Sequence, residues 1–291
     1  METDMSFITD DPNMLNEWLT VGSVNSLDGS TAERPTTARL LGDEISLWRD
    51  PQGAAHCQAD SKELLIEAHY GYLWVCPSGT PARPLFAFPE YDEPGRRIVD
   101  CAGFGVAVSG LRIVENFLDM AHFPFVHTHY LGNIPHTEVT QYKVQIDAPT
   151  DEIWATDCRF WQPKSSASAI GGHEARYKYR VMQPFSTMLY KTSAPYPDRF
   201  DAIGLFVQPV DEVHSIAHCL LVYFDDESTD TELIAFQHTI FGQDKPILEN
   251  HVLKRIPLEG RLETPTRGDA TSVAYRRWLK ARGMRFGVLL V

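Results

Sequence analysis

At 291 residues, with 43% hydrophobic and 22% charged side chains, the chain has the composition of a globular protein large enough for one large or two modest domains. A formal net charge of −13 argues against nucleic acid or an anionic membrane as partner, since either would demand a basic surface. No stretch approaches the roughly eighteen apolar residues of a membrane span, the start Met1-Glu2-Thr3-Asp4-Met5 is acidic, and five scattered cysteines make no disulfide framework, so a cytoplasmic location is expected.

Residues 1–14 are polar and expected to form a disordered tail. From 15 to 76 short apolar runs such as Ile45-Ser46-Leu47-Trp48 and Tyr70-Gly71-Tyr72-Leu73-Trp74-Val75 alternate with turn signals at Asp28-Gly29 and Asp50-Pro51-Gln52-Gly53, which predicts a small β domain. Residues 77–98 are proline-rich and read as a linker to a domain spanning 99–291.

That domain opens on Asn116-Phe117-Leu118-Asp119-Met120-Ala121-His122-Phe123-Pro124-Phe125-Val126-His127. Val114, Phe117, Leu118 and Ala121 recur at helical spacing, so a helix is expected to run through His122 and break at Pro124, with Asn116, Asp119 and His122 on one face. Two imidazoles and a carboxylate can hold Fe(II) on one triangular face, but they can equally be hydrogen-bonded histidines at a helix end. The spacing leaves both readings open. Downstream, Val139 to Ile146, Ile153 to Trp161, Ala175 to Met182, Thr187 to Thr192, Ala202 to Val210 and Ser215 to Phe224 read as antiparallel strands. A helical region follows from about Asp230 to Val252, and a last helix begins near Asp269.

Other chemistries find little support. His136-Thr137-Glu138 matches a three-letter H-x-[DE] metal element, a pattern common by chance. There is no H-E-x-x-H, G-x-S-x-G, phosphate-binding glycine loop or dinucleotide fingerprint. Basic residues gather at Lys254-Arg255, Arg276-Arg277, Lys280 and Arg282, a grouping expected to be a solvated face.

The run from Ser109 to His127 resembles the iron-binding N-x-x-D-x-x-H-x-x-x-x-H motif of the catalytic subunits of Rieske non-haem iron oxygenases, in the branch of vanillate-type O-demethylases and methylxanthine N-demethylases. Phe241-Gly242-Gln243-Asp244-Lys245-Pro246-Ile247-Leu248-Glu249 is similar to the segment that supplies the family's carboxylate ligand, and the likeness covers nearly all of the chain after about residue 70. The resemblance implies mononuclear Fe(II) on His122, His127 and Asp244, with Asp119 bridging an incoming Rieske cluster to the iron and Asn116 as a polar neighbour. It also implies an α+β fold, in which a Rieske-type β domain precedes a helix-grip catalytic domain, a curved antiparallel sheet around a C-terminal helix.

The sequence departs from the family in one respect. A Rieske cluster needs C-x-H followed by C-x-x-H. Cys57 is followed by Gln58-Ala59-Asp60 and Cys76 by Pro77-Ser78-Gly79, so no [2Fe–2S] cluster is expected in this chain, and the cluster loops are replaced by a short crossing near Asp60-Ser61-Lys62. The resemblance then implies a monooxygenase hydroxylating an N- or O-methyl group of a small aromatic or heterocyclic substrate, such as the N7-methyl of 7-methylxanthine, with release of formaldehyde. Electrons would come from NAD(P)H through a separate Rieske-containing reductase or ferredoxin. A glutathione-transferase-like structural subunit and a trimer or hetero-hexamer are further implications. The alternative is a non-catalytic ligand-binding or structural subunit that lost catalysis with its cluster.

Overall fold

The computed structural model describes residues 7–259 and 262–289. Residues 1–6 of the expected tail lie outside the described residues, but residues 7–14 belong to the fold. Phe7 and Met14 are buried, and Asp11 caps a first short helix, α1 (Pro12–Leu15). Asp11 Oδ1 accepts from the Asn13 amide at 2.9 Å, while Oδ2 accepts from the amides of Arg285 and Phe286 at 2.7 and 3.0 Å. One carboxylate therefore pins the start of the chain to its far end, which corrects the boundary drawn at residue 14.

Strands β1 (Leu19–Ser23), β2 (Thr36–Leu40), β3 (Asp43–Arg49), β4 (Ala55–Ala59), β5 (Lys62–His69) and β6 (Tyr72–Cys76) form an antiparallel sheet in the order β1-β6-β5-β4-β3-β2. Three of its turns have two residues, Leu41-Gly42, Asp60-Ser61 and Tyr70-Gly71, all at positive φ. That is the type I′ geometry, whose twist matches that of the strands. Residues 77–98 are not a loose linker: Phe86 and Phe88 are buried with Trp74 and Phe206, and the amides of Ser78 and Ala82 donate to the carbonyls of Leu15 and Asn16, both at 2.8 Å.

Strands β7 (Arg97–Val106), β8 (Lys143–Asp147), β9 (Glu152–Gln162), β10 (His173–Gln183), β11 (Ser186–Thr192), β12 (Phe200–Pro209) and β13 (Ser215–Tyr223) form a second antiparallel sheet, in the order β7-β13-β12-β11-β10-β9-β8. Irregularities in pairing near Ala102, Asp157 and Met182 curve it. One face, with Met188, Tyr190 and Phe206, packs against Tyr72 and Trp74 of the first sheet. The other face is covered by helices. With both faces covered, β11 is buried at every position and shows no polar alternation.

The helices are α2 (Gly110–Phe117), α3 (Phe123–Val126), α4 (Asp230–Glu249) and α5 (Ala270–Ala281). Ser109 caps α2, which packs on β12 and β13; a Cβ at Gly110 would meet Phe185 at 2.6 Å and Val207 at 2.8 Å, so the first turn needs glycine. Thr229 and Glu232 form a capping box that starts α4. This helix runs beside β7 and in the same direction: Arg97 at the start of β7 bonds to Asp225 O and Asp230, and Ala107 just after β7 donates to Glu249 Oε1 at 3.0 Å. Asp244, late in α4, is thereby carried level with the segment that follows β7. No helix among the described residues is long and apolar enough to cross a membrane.

The basic cluster is not a free solvated face. Arg276 joins Glu115 and Glu263, Arg255 pairs with Glu212, and Arg282 pairs with Asp151. Arg276 and the buried Arg112 share the Glu263 carboxylate; burial pushes this carboxyl up, but the two guanidiniums outweigh it and hold it down at about 2.

Candidate metal centre

The helix carrying the motif ends sooner than its apolar spacing predicts. α2 stops at Phe117, residues 118–122 turn, and Pro124 lies in the first turn of α3 instead of interrupting a continuous helix. Proline is tolerated there because a first-turn amide has no intrahelical acceptor. Asp119 organises the turn: Oδ1 accepts from the Ala121 amide at 2.8 Å, and Oδ2 accepts from the His122 amide at 3.2 Å and from His122 Nδ1 at 2.8 Å. Burial pushes the Asp119 carboxyl up, yet the His122 ring and these amides outweigh burial and hold it below the usual carboxylate value. His127, at the end of α3, is fixed in the same manner, with Nδ1 facing Gln243 Oε1 at 2.9 Å.

These contacts decide what the rings present to each other. A carboxylate only accepts, and so does an amide oxygen, so the proton of each neutral imidazole sits on Nδ1 and each Nε2 is left with its lone pair. The two Nε2 atoms are 3.1 Å apart. Asp244 Oδ1 stands 3.2 Å from the Nε2 of His127 and 3.5 Å from that of His122, and this buried oxygen has no hydrogen-bond partner among the described residues. With neutral rings three acceptors then face one point, an arrangement that repels unless a cation lies among them. Ligand atoms about 2.1 Å from a metal and at right angles would be ~3 Å apart, close to the separations found. His122, His127 and Asp244 are the group of metal-ligating type found among the described residues. His136 is exposed and stacks on Trp161, with centroids 4.5 Å apart, and belongs to no such group.

Two cavities flank the cluster. The inner one, of ≈ 70 Å³, reaches from His122, His127 and Asp244 to the concave face of the second sheet and is walled by Phe117, Phe123, Tyr177 and Tyr179. A single water needs about 10–15 Å³ on this measure, so a small flat molecule is the scale of occupant. The outer one, of ≈ 260 Å³, has the charged residues Asp119, Arg112, Glu115, Glu263 and Arg276 in its lining. Asn116 borders both. Asp119 thus has His122 on one side and a solvent-facing recess on the other.

Three polar residues of the site carry no mark in the sequence. Gln243 is distinguished from Gln237 only by the imidazole it meets. Lys191 and Tyr179 lie in strands whose pattern says buried, and only the pairing of β10 with β11 places both on the cavity side.

Comparison with known proteins agrees with the fold. The model of the vanillate O-demethylase oxygenase C-terminal domain matches residues 106–284. A probable methylxanthine N7-demethylase, NdmC, of Pseudomonas sp. (strain TJI-51) is 48% identical over 290 residues, covering 99% of both chains. The methylxanthine N1-demethylase NdmA of Pseudomonas putida is 25% identical over 226 residues, which cover 74% of this chain and 59% of NdmA. The solved structure of Pseudomonas putida CBB5 NdmA with caffeine superposes with a TM-score of 0.75 at 18% identity, covering 94% of this chain and 92% of that one. The chain belongs to the vanillate O-demethylase oxygenase family. It is an oxygenase of the Rieske type, a class that works through mononuclear non-haem iron, and the alternative of a non-catalytic subunit is not favoured.

Proposed function

We propose that His122 Nε2, His127 Nε2 and Asp244 Oδ1 hold Fe(II) and that the chain is the catalytic subunit of an N-demethylase, with the N7-methyl group of a methylxanthine as the group removed. The observation that carries the metal assignment is the convergence of the two Nε2 atoms and Asp244 Oδ1 on one point, each ring held by an acceptor on its other nitrogen. The 48% identity with a probable N7-demethylase over the whole chain supports the substrate.

When bound, the iron supplies activation of dioxygen: with two electrons and two protons, one oxygen atom enters a methyl C–H bond and the other leaves as water. The resulting N–CH2OH group breaks its C–N bond to give N–H and formaldehyde. The chain's own residues set the stage. Phe117, Phe123 and Tyr177 give a flat ring apolar walls and keep bulk water from the reacting methyl. Asp119 fixes the His122 ring and faces the outer recess, where a partner's Rieske histidine would reach the carboxylate.

The sequence has neither C-x-H nor C-x-x-H, so in this reading the electrons come from a Rieske-containing reductase or ferredoxin fed by NAD(P)H. A glutathione-transferase-like structural subunit and a trimeric or hetero-hexameric assembly belong to the same proposal. The test is turnover of 7-methylxanthine with NADH and a reductase that has only flavin and a plant-type ferredoxin domain, with and without an added Rieske domain. Formaldehyde should form only with the Rieske domain; equal rates with both donors would overturn the supply of electrons in trans.

A further inference from the structure

The inner cavity holds a cation that the metal cluster does not use. Lys191 is the cross-strand partner of Tyr177 on one side and of Asp201 on the other. Alternation places it with Tyr177, Tyr179 and Leu189 on the cavity wall, opposite in sense to Met188 and Tyr190, which pack on the first sheet. Its side chain is 3% exposed, and its hydrogen-bond acceptor is the backbone oxygen of Ser165. The carboxylate whose charge acts on it is that of Asp201, which spends Oδ1 on the Phe224 amide. Among the described residues two of the three ammonium N–H bonds are therefore without an acceptor. Tyr179, whose ring stacks on Tyr177 at 6.1 Å, has a buried hydroxyl with no hydrogen-bond partner among the described residues.

Buried donors are almost always paired, because leaving one unpaired forfeits its hydration without return. Here two of them, on neighbouring strands, line the same cavity as the metal cluster, where a methionine and a phenylalanine would pack with no such cost. Burial pushes the Lys191 amine down to about 8, against the opposing charge of Asp201. It can thus share a proton with a weakly acidic N–H, as ammonium with an anion or as amine with the neutral acid.

We propose that Lys191, assisted by the Tyr179 hydroxyl, determines substrate specificity by receiving the acidic edge of a methylated purinedione, a ring N–H flanked by carbonyl oxygens, while the methyl group to be removed points to His122, His127 and Asp244. The inference rests on the demethylase reading and narrows its substrate class to methylated heterocycles that keep an ionisable ring N–H beside a carbonyl. 7-Methylxanthine has this edge. Caffeine, methylated at both dione nitrogens, offers carbonyl oxygens but no acidic proton. The rest of the wall is apolar or aromatic and would accept either ring.

The test is equilibrium binding by titration calorimetry, without oxygen, of 7-methylxanthine and caffeine to the iron-loaded full chain and to Lys191→Met and Tyr179→Phe. The parent should prefer 7-methylxanthine at least tenfold. Lys191→Met should weaken 7-methylxanthine by about 10- to 100-fold, the range for hydrogen bonds to a charged group, and leave caffeine nearly unchanged, so that the preference collapses. Tyr179→Phe should weaken 7-methylxanthine by about threefold to tenfold, and it carries the test should the lysine variant fail to fold. Retention of 7-methylxanthine affinity within twofold in the folded variants, or an equal loss for both purines, overturns the proposal. A parent that holds iron but binds neither purine overturns the substrate class while the metal assignment stands. A lysine-dependent preference in a protein unable to hold iron at His122, His127 and Asp244 does the reverse.

Discussion

Asp119 Oδ2 accepts a hydrogen bond from His122 Nδ1 at 2.8 Å, and the same carboxylate forms part of the wall of the outer recess. It is the residue through which a group docked outside can touch the ring whose other nitrogen faces His127 Nε2 and Asp244 Oδ1. Asp119→Asn should keep the fold and most of the iron, since the amide has nearly the same shape and the three donor atoms are untouched. Turnover driven by a Rieske partner and NADH should fall by far more than iron content, on the order of a hundredfold. Hydrogen peroxide, which replaces both dioxygen and electrons, should still give product with the variant; loss of both activities together with iron would reduce Asp119 to a structural brace.

Gln243 supports the other ring. Gln243→Ala leaves His127 Nδ1 without its acceptor and frees the ring to rotate, so the affinity for Fe(II) should drop about 10- to 100-fold. Asp244→Ala should cost more, because it removes a donor atom outright. Competition with a chelator of known affinity measures both. Equal iron retention by Asp244→Ala and the parent would refute the carboxylate's place in the cluster.

His218 makes stability sensitive to acid. Its ring is buried, bonds to Gln208 Oε1 at 3.1 Å and meets Tyr72 edge-on; burial pushes it down to about 4, with the charge of Asp100 opposing. The unfolded chain binds the proton near pH 6.5 and the folded chain only near 4, so stability is fully present above 6.5 and declines as the pH falls from 6.5 to 4. The loss is on the order of 3 kcal/mol across that window. His218→Gln should flatten the dependence of melting temperature on pH there. An unchanged slope would assign the acid sensitivity to other groups.

The two-residue turn between β4 and β5 places Asp60 and Ser61 at φ of 44° and 68°. A side chain at such angles costs about 1 kcal/mol unless it is Gly, Asn or Asp. Ser61→Gly should therefore stabilise the protein by roughly 0.5–1 kcal/mol in chemical unfolding, with no change in iron content. Destabilisation would show that the serine side chain has a role of its own.

Most of the second sheet could be read from the sequence because its strands are bounded by turn residues and their apolar runs match strand lengths. The end of α2 could not. Leu118 and Met120 are buried in the turn, so apolar residues continue past the last helical hydrogen bond and imitate another helical turn. His122 and His127 stood out by resemblance, not by spacing, and Asp244 likewise, since nothing local ties α4 to α3. Gln243 meets His127 across 116 residues, and Asp11 meets Arg285 across 274. Such partners exist only after the chain has folded back. Lys191 is not legible as a cavity residue because a lone lysine in a strand ordinarily marks a solvent face, whereas both faces of this sheet are covered.

The pairing of β7 with β13 has a consequence for when the candidate metal centre is completed. Strands β8 to β13 join through neighbours in sequence, and so do β2 to β6, so both groups can zip up from short-range contacts. β7 must wait for β13, synthesised some hundred residues later, and only their union, with α4 laid alongside, brings His122 and His127 to Asp244. The candidate metal centre stays incomplete until α4 has been made and docked. Completion of the candidate centre is accordingly a late event in the folding of the polypeptide, since it waits for partners more than a hundred residues apart in the chain.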